Sequence, residues 1–287
     1  MDIFNIDLHY HAGLERDEGV SLRDYLEYAQ MTGRKILGIT DHYDLYFEPK
    51  EAYSVQDLNY ERSFDGLKKY QKEIASLKDA FPQMKLFFAP EICPGIKLDT
   101  IPLDIIEISD FFICEPPAVK DSVSDNTAGI VEKLFEISDF VKKTGKSAYL
   151  AHPFRSSVNE RLVTKDIQPW IRDISYRTHW TEFTYEEIDN FFMFDIKEVA
   201  RAAKTLSIPL EMNGNTQFRV RSCNLPPVLQ MLWGAYQIIA DEKAEIVPGS
   251  DLHGFMNWFG KMGQYIPYDC FSALGITYND INFIKKI

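Results

Sequence analysis

Five of the six histidines fall in four short segments: DLHYH (Asp7 to His11), ITDH (Ile39 to His42), LAHPFR (Leu150 to Arg155) and GSDLHG (Gly249 to Gly254). Each segment closes an apolar, strand-like run at the point where polar residues begin. Histidines scattered at random would fall on helix faces and loops as well. In a barrel of parallel strands such strand ends converge on one face. Neutral imidazole and carboxylate oxygen are the usual ligands of zinc, manganese or iron at a catalytic centre. The distribution is that of a metal site.

In DLHYH, His9 and His11 are two positions apart, so on a strand both side chains leave the same face and can grip one ion together. Asp7 shares that face and is expected to orient one of them. A lone His-x-His is also what a solvent-facing strand end accepts, so its weight comes from the other segments. ITDH offers Asp41 and His42; a buried Thr-Asp pair closing a turn would account for Asp41 and explains His42 less well. The segment APEI ends a third apolar run with Glu91, where a buried carboxylate is costly unless a cation compensates it. A carboxylate there can bridge two metals. AHPFR supplies His152 and then Arg155, whose planar fork suits bidentate phosphate contact, although taken alone the segment also reads as a structured loop. GSDLHG puts Asp251 and His253 on one strand face after a Gly-Ser turn that lets backbones approach closely.

The elements that must position these residues alternate. Strand-like runs cover Ile3 to His9, Lys35 to Asp41, Lys85 to Glu91, Asp110 to Cys114, Ser147 to His152, Ile208 to Asn213 and Ala244 to Asp251. Between them the helical period recurs over Ser21 to Thr32, Glu61 to Ala80, Asn126 to Lys143, Thr184 to Thr205 and Pro226 to Asp241. Ser21 reads as an N-cap and Gly33 as a C-terminal stop. Strands alternating with helices imply parallel pairing by right-handed crossovers. One segment breaks the rhythm. Ser156 to Phe183 carries Trp170, Tyr176, His179, Trp180, Arg161, Arg172 and Arg177; it is expected either to cap the histidine face as a lid or to pack on a barrel side or mediate self-association.

At 287 residues, 45% hydrophobic and 14% aromatic, the chain is within the range of one α/β barrel, and residues 1–287 are expected to form a single domain. A formal net charge of −12 argues against general affinity for nucleic acid or anionic membrane; an anionic substrate must be held locally by metals and a few arginines. The opening segment has no basic stretch followed by an apolar one, and no run of about 18 apolar residues occurs. These features predict a cytoplasmic protein. Cys93, Cys114, Cys223 and Cys270 show no paired spacing and are expected as reduced thiols.

DLHYH, GITDHYD, APEI, AHPFR and GSDLHG, in this order and at these spacings, resemble the motifs of the PHP family, named for polymerase and histidinol phosphatase. The resemblance spans Asp7 to Gly254 and is closest to the histidinol-phosphatase-like branch. It implies a distorted seven-stranded (β/α) barrel with two or three divalent ions, zinc, manganese or iron, at the C-terminal strand ends. A first ion would take His9, His11, Glu91 and Asp251. A second would take His42, His253 and Asp17, with Glu18 and Glu15 as nearby substitutes. A third would share Glu91 and take His152 with a histidine after the fourth strand; here the sequence reads DFFICEPP, so Cys114 or Glu115 replaces that histidine or the third position is weak.

Such a constellation suits phosphate ester hydrolysis: closely spaced cations neutralise phosphate oxygens, acidify a water and stabilise the entering and leaving oxygens. The expected substrate is a small phosphomonoester, histidinol-phosphate-like or a nucleotide. Arg155 is the leading phosphate clamp, followed by Arg219 and Arg221 after the segment EMNGN (Glu211 to Asn215). That segment resembles one of the histidinol-phosphatase branch, which would put Asn213 near the site; a plain turn accounts for it equally well. Two other classes stay open. An amidohydrolase-type metal hydrolase also starts from His-x-His in a barrel, but normally adds a bridging lysine that Ile113 to Pro117 lacks. A non-catalytic regulatory barrel fits a nearly complete ligand set least well.

Overall fold

The structure is a computed structural model that describes residues 2–13, 16–46, 64–163, 174–222, 226–254 and 268–287. Nine short strands occur among them: β1 (Ile6–His11), β2 (Ile36–Thr40), β3 (Lys85–Phe88), β4 (Glu91–Ile92), β5 (Phe111–Cys114), β6 (Ser147–Leu150), β7 (Leu210–Asn213), β8 (Ile246–Gly249) and β9 (Leu252–His253). All pair in parallel, in the orders β3-β2-β1-β9 and β4-β5-β6-β7-β8. β3 and β4 are halves of one strand broken at Ala89-Pro90, and Pro90 has no N–H to give to a ladder. β8 and β9 are likewise halves of one strand, broken at Ser250-Asp251, where Asp251 adopts the left-handed φ of 55°. With the halves rejoined, seven strand positions follow one another around a ring that β9 closes on β1. The expected α/β barrel of seven distorted strands is therefore the architecture observed.

The described helices lie between the strands, α1 (Leu22–Met31), α2 (Phe64–Leu77), α3 (Leu103–Ile108), α4 (Val123–Thr144), α5 (Arg155–Val163), α6 (Tyr185–Phe192), α7 (Ile196–Leu206), α8 (Gly214–Ser222) and α9 (Pro226–Asp241), except for α10 (Tyr268–Ala273), which follows β9. α1 shows why these segments are helical. Ser21 accepts from Asp24 N at 3.3 Å while Asp24 accepts from Ser21 N at 2.7 Å, a reciprocal cap. Leu22, Tyr25, Leu26 and Ala29 form one buried stripe, each large member stabilising by about 1.5 to 3 kcal/mol when fully buried. Tyr25 meets Tyr10 of β1 edge-on at 6.1 Å. Even-numbered β1 residues thus face the helices, which leaves Asp7, His9 and His11 for the barrel interior. The floor of that interior is aromatic: Phe111, Tyr149 and Phe283 have ring centroids 5.3 to 6.0 Å apart, with Tyr149 Oη donating to Leu8 O at 3.0 Å.

Several boundaries differ from the sequence expectations. The first strand begins at Ile6 because Asp2 and Asn5 cap each other over a 3-10 turn, Ile3–Asn5. The helix expected over Thr184 to Thr205 is two helices: Met193 turns left-handed at φ 64° and Asp195 caps α7 by accepting from Glu198 N at 2.8 Å. The EMNGN segment is no plain turn, since Asn213 Oδ1 accepts from Thr216 N at 2.8 Å and opens α8. In the segment expected as a lid, α5 and the flank 174–183 are described, and the flank is tied to α6 by Arg177 Nη1 donating to Glu187 Oε1 at 2.8 Å. Trp170 and Arg172 lie outside the described residues, as do Glu15, Cys223 and the start of the helix expected from Glu61. No described helix is long and apolar enough to cross a membrane.

Candidate metal centre

The C-terminal strand ends deliver their side chains to one place. His9 and His11 close β1, and their Nε2 atoms face each other at 3.0 Å. Glu91 opens β4 beneath them. Its Oε2 stands 3.3 Å from His9 Nε2, 3.2 Å from His11 Nε2 and 3.2 Å from His42 Nδ1, and its Oε1 lies 3.0 Å from His152 Nε2. Asp251 Oδ1 is 2.7 Å from His253 Nε2 and 3.6 Å from His11 Nε2. The rings of His11 and His253 stack at 3.9 Å. Both His152 (φ 20°) and Asp251 (φ 55°) hold backbone conformations that cost a non-glycine residue free energy; such strain gathers where a site dictates side-chain direction.

Four groups of donors lie within 4.8 Å of one another among the described residues: His9, His11 and Asp251; His11, His42 and His253; Glu91, Glu115 and His152; and His42, Cys93 and Glu115. The first holds three of the four residues expected for the first ion, Glu91 standing outside it, and the third joins Glu91 and His152 with Glu115 as expected for the third. In the second, His11 stands where Asp17 was expected. Asp17 falls in none of the groups: its carboxylate covers Gly254, next to His253, and accepts from Tyr25 Oη at 3.3 Å. Of the two substitutes after the fourth strand, Glu115 joins a group, whereas Cys114 is buried within β5 and joins none. Burial pushes the Cys114 thiol up to about 12.

The residues fit divalent cations. Glu91 Oε2 is buried and hydrogen-bonds no group, although three imidazole nitrogens crowd it. An unsatisfied buried carboxylate oxygen is costly, and imidazoles whose nitrogens converge with it are a natural cation cage. The electrostatics agree. Burial opposes charge on His9, yet Glu91, Glu211 and Asp251 raise its pKa well above the usual range. Burial likewise opposes charge on Glu91, but the histidines around it hold the carboxyl well below its ordinary value. Burial and the adjacent Glu91 push Glu115 up.

A supporting layer lies behind these donors. Glu211 Oε1 is 2.8 Å from His9 Nδ1, and Glu211 Oε2 accepts from His152 N at 2.6 Å. This corrects the expectation for Asp7, which instead accepts from the backbone N–H groups of Ser250 (2.9 Å) and His9 (3.2 Å). A Cβ at Gly249 would collide with Glu211 and the His9 side chain, so the glycine of GSDLHG makes the Glu211 contact possible. Asp251 Oδ2 accepts from Arg155 Nη1 (2.7 Å), Asn213 Nδ2 (3.2 Å) and Asn215 Nδ2 (3.3 Å). Arg155 thus reaches the site. Arg219 is held by Asn159 Oδ1 (2.7 Å) and Asn215 Oδ1 (3.2 Å), one residue removed from Asp251. Arg221 is exposed on α8.

Glu211, Asn215 and Cys93 were not among the expected site residues. Glu211 left one signal, a carboxylate inside the apolar run Ile208 to Met212, which must meet a compensating group once buried.

No protein-family model matches the sequence, and no curated protein is similar to it in sequence. Among solved structures, histidinol phosphate phosphatase from Lactococcus lactis subsp. lactis, determined with zinc, L-histidinol and phosphate, is similar at a TM-score of 0.57 and 17% identity, over 95% of this chain and 94% of that one. At that identity the likeness establishes the fold. Yersinia pestis DHPS (TM-score 0.39, 11% identity, 96% and 94% covered) and an endoglucanase (0.40, 10%, 95% and 97%) also align along most of the chain.

Proposed function

We propose that residues 1–287 form one barrel of the PHP family, a cytoplasmic metal-dependent phosphoesterase that hydrolyses a small phosphomonoester. The observation that carries this reading is Glu91: a buried carboxylate with one oxygen unsatisfied and four histidines around it. His9, His11, Asp251 and Glu91 would hold one ion, His42 and His253 with His11 or Asp17 a second, and His152, Glu91 and Glu115 a third. Divalent ions in such a site neutralise phosphate oxygens and acidify a water to near neutrality.

The chain's own groups do the rest. Glu211 fixes the His9 ring by taking its Nδ1 proton in a hydrogen bond, which leaves Nε2 as the donor atom. Arg155, with a fifth of its side chain exposed, brings a guanidinium to the mouth of a site that is otherwise acidic, and Arg219 lies behind it. Burial opposes the charge on Arg155, but Asp251, Glu91 and Glu115 keep it firmly protonated, so it offers N–H donors at every working pH. The phosphatase of similar fold was solved with L-histidinol and phosphate, which makes histidinol phosphate the first substrate to try.

The test is a panel of phosphomonoesters, including histidinol phosphate and nucleotides, assayed on chelated and on zinc- or manganese-loaded protein. Turnover of at least one ester that vanishes on chelation and returns with metal is expected. Metal-independent turnover, or full metal loading with no hydrolysis of any ester, would overturn the reading.

A further inference from the structure

Cys93 follows β4 directly, two residues past Glu91. Its Sγ lies 3.8 Å from His42 Nδ1, and it forms a donor group with His42 and Glu115, all within 4.8 Å of one another. The same His42 nitrogen is 3.6 Å from Glu115 Oε1 and 3.2 Å from Glu91 Oε2. Glu91 Oε2, buried and without a hydrogen bond, therefore points to a cation on this side of the cluster independently of the cysteine. We infer that Cys93 is a metal ligand, its sulfur joining His42 and Glu115 to hold a divalent ion at the open edge of the centre. The inference rests on the metal-dependent reading above and regroups its donors: His42 and Glu115, placed there on separate ions, here share one with Cys93.

The chemistry of the donors says which ion. Sulfur, nitrogen and oxygen from three residues form the mixed donor set that a zinc-type ion accepts. Thiolate sulfur favours zinc or cobalt over the oxygen-seeking manganese and magnesium. The thiol must lose its proton to bind: Cys93 Sγ donates to Asp44 Oδ1 at 2.8 Å, a bond that keeps the proton on sulfur until an ion displaces it, and the same carboxylate would then carry it to solvent. The arrangement also accounts for the fourth strand, which ends in Cys114-Glu115 where the family resemblance leads one to expect histidine. Glu115, directly after β5, and Cys93, directly after β4, together supply the donors.

Cobalt(II) reports the sulfur directly. Protein stripped of metal and reloaded with cobalt should show a near-ultraviolet sulfur-to-cobalt charge-transfer band. Cys93→Ser should lose the band and bind about one ion fewer, with unchanged circular dichroism. Cys93→His, which returns a nitrogen donor, should recover the ion without the band. Zinc should also protect Cys93 from iodoacetamide in peptide-resolved mass spectrometry, and chelation should expose it. Full ion content in Cys93→Ser together with an undiminished band, or alkylation of Cys93 at equal rates with and without zinc, would overturn the assignment while leaving the phosphoesterase reading intact. Wild-type protein that binds no divalent ion would overturn both.

Discussion

Glu211 Oε1 stands 2.8 Å from Nδ1 of His9, across the barrel from β7 to β1. Once an ion takes Nε2, the contact would keep the ring's remaining proton on Nδ1. Its removal should therefore act on metal affinity rather than on the fold. Glu211→Ala is expected to weaken metal binding by about 10- to 100-fold, read by competition with a calibrated chelator. Glu211→Gln, which keeps an acceptor at the same place, should retain most of the affinity. Equal affinity in wild type and Glu211→Ala would show that His9 is oriented by other means.

Glu91 touches every donor group that its neighbours form. Its two oxygens lie within 3.3 Å of four imidazole nitrogens, so one substitution should disturb more than one ion. Glu91→Gln is expected to lower bound metal per chain by more than Asp251→Asn does and to reduce turnover by several orders of magnitude. Elemental analysis of the two variants after identical loading makes the comparison. A smaller loss in Glu91→Gln than in Asp251→Asn would remove Glu91 from its shared position.

The three arginines should separate. Arg155 donates to Asp251 Oδ2, but that oxygen keeps donors from Asn213 and Asn215 when the guanidinium is gone. Metal content in Arg155→Ala should thus stay at the wild-type level. Loss of one charge-assisted contact to phosphate costs about 1.5 to 3 kcal/mol, or roughly ten- to a hundredfold in kcat/KM. Arg155→Lys should recover only part of this, since the fork is gone. Arg221, exposed on α8, should be replaceable by alanine with about wild-type kinetics. Unchanged kcat/KM in Arg155→Ala would move the clamp to Arg219.

Local signals carried most of the barrel. His9 and His11 share a face because strands alternate, and seven apolar runs broken by helix-period segments leave few parallel arrangements open. What local signals could not carry were features set by distant partners. The break at Asp251 comes from a left-handed φ of 55°, a conformation that a tertiary site imposes and aspartate does not advertise. Met193, another left-handed residue, splits a helix whose periodicity runs on through it. Glu211 finds His9 only because Gly249, on a third strand, has no side chain to block the way. Cys93 looked like one of four unpaired thiols until β4 and β5 paired and brought it to Glu115.

Away from the metal centre, Asp189 offers a test of the electrostatics of the helical layer. It sits on α6, half-buried, and its Oδ1 accepts from Ile196 N at 3.1 Å where α7 begins. Burial, with a smaller contribution from Asp195, pushes its pKa from 3.8 to about 6. A carboxyl whose folded pKa is raised binds its proton more tightly in the folded state. The stability linked to that proton is present at low pH and is lost as pH climbs from about 4 to about 6. Asp189→Asn keeps the acceptor for Ile196 and removes the charge. At pH 7 the variant should be more stable by about 1 kcal/mol, a figure discounted for the partial exposure of the group, which raises Tm by about 2 °C. At pH 4 the advantage should disappear. Thermal unfolding of both proteins at the two pH values, at fixed metal concentration, decides the matter; a variant less stable at pH 7 would show that the Asp189 carboxylate is compensated in the fold by a charge or hydrogen bond beyond those named.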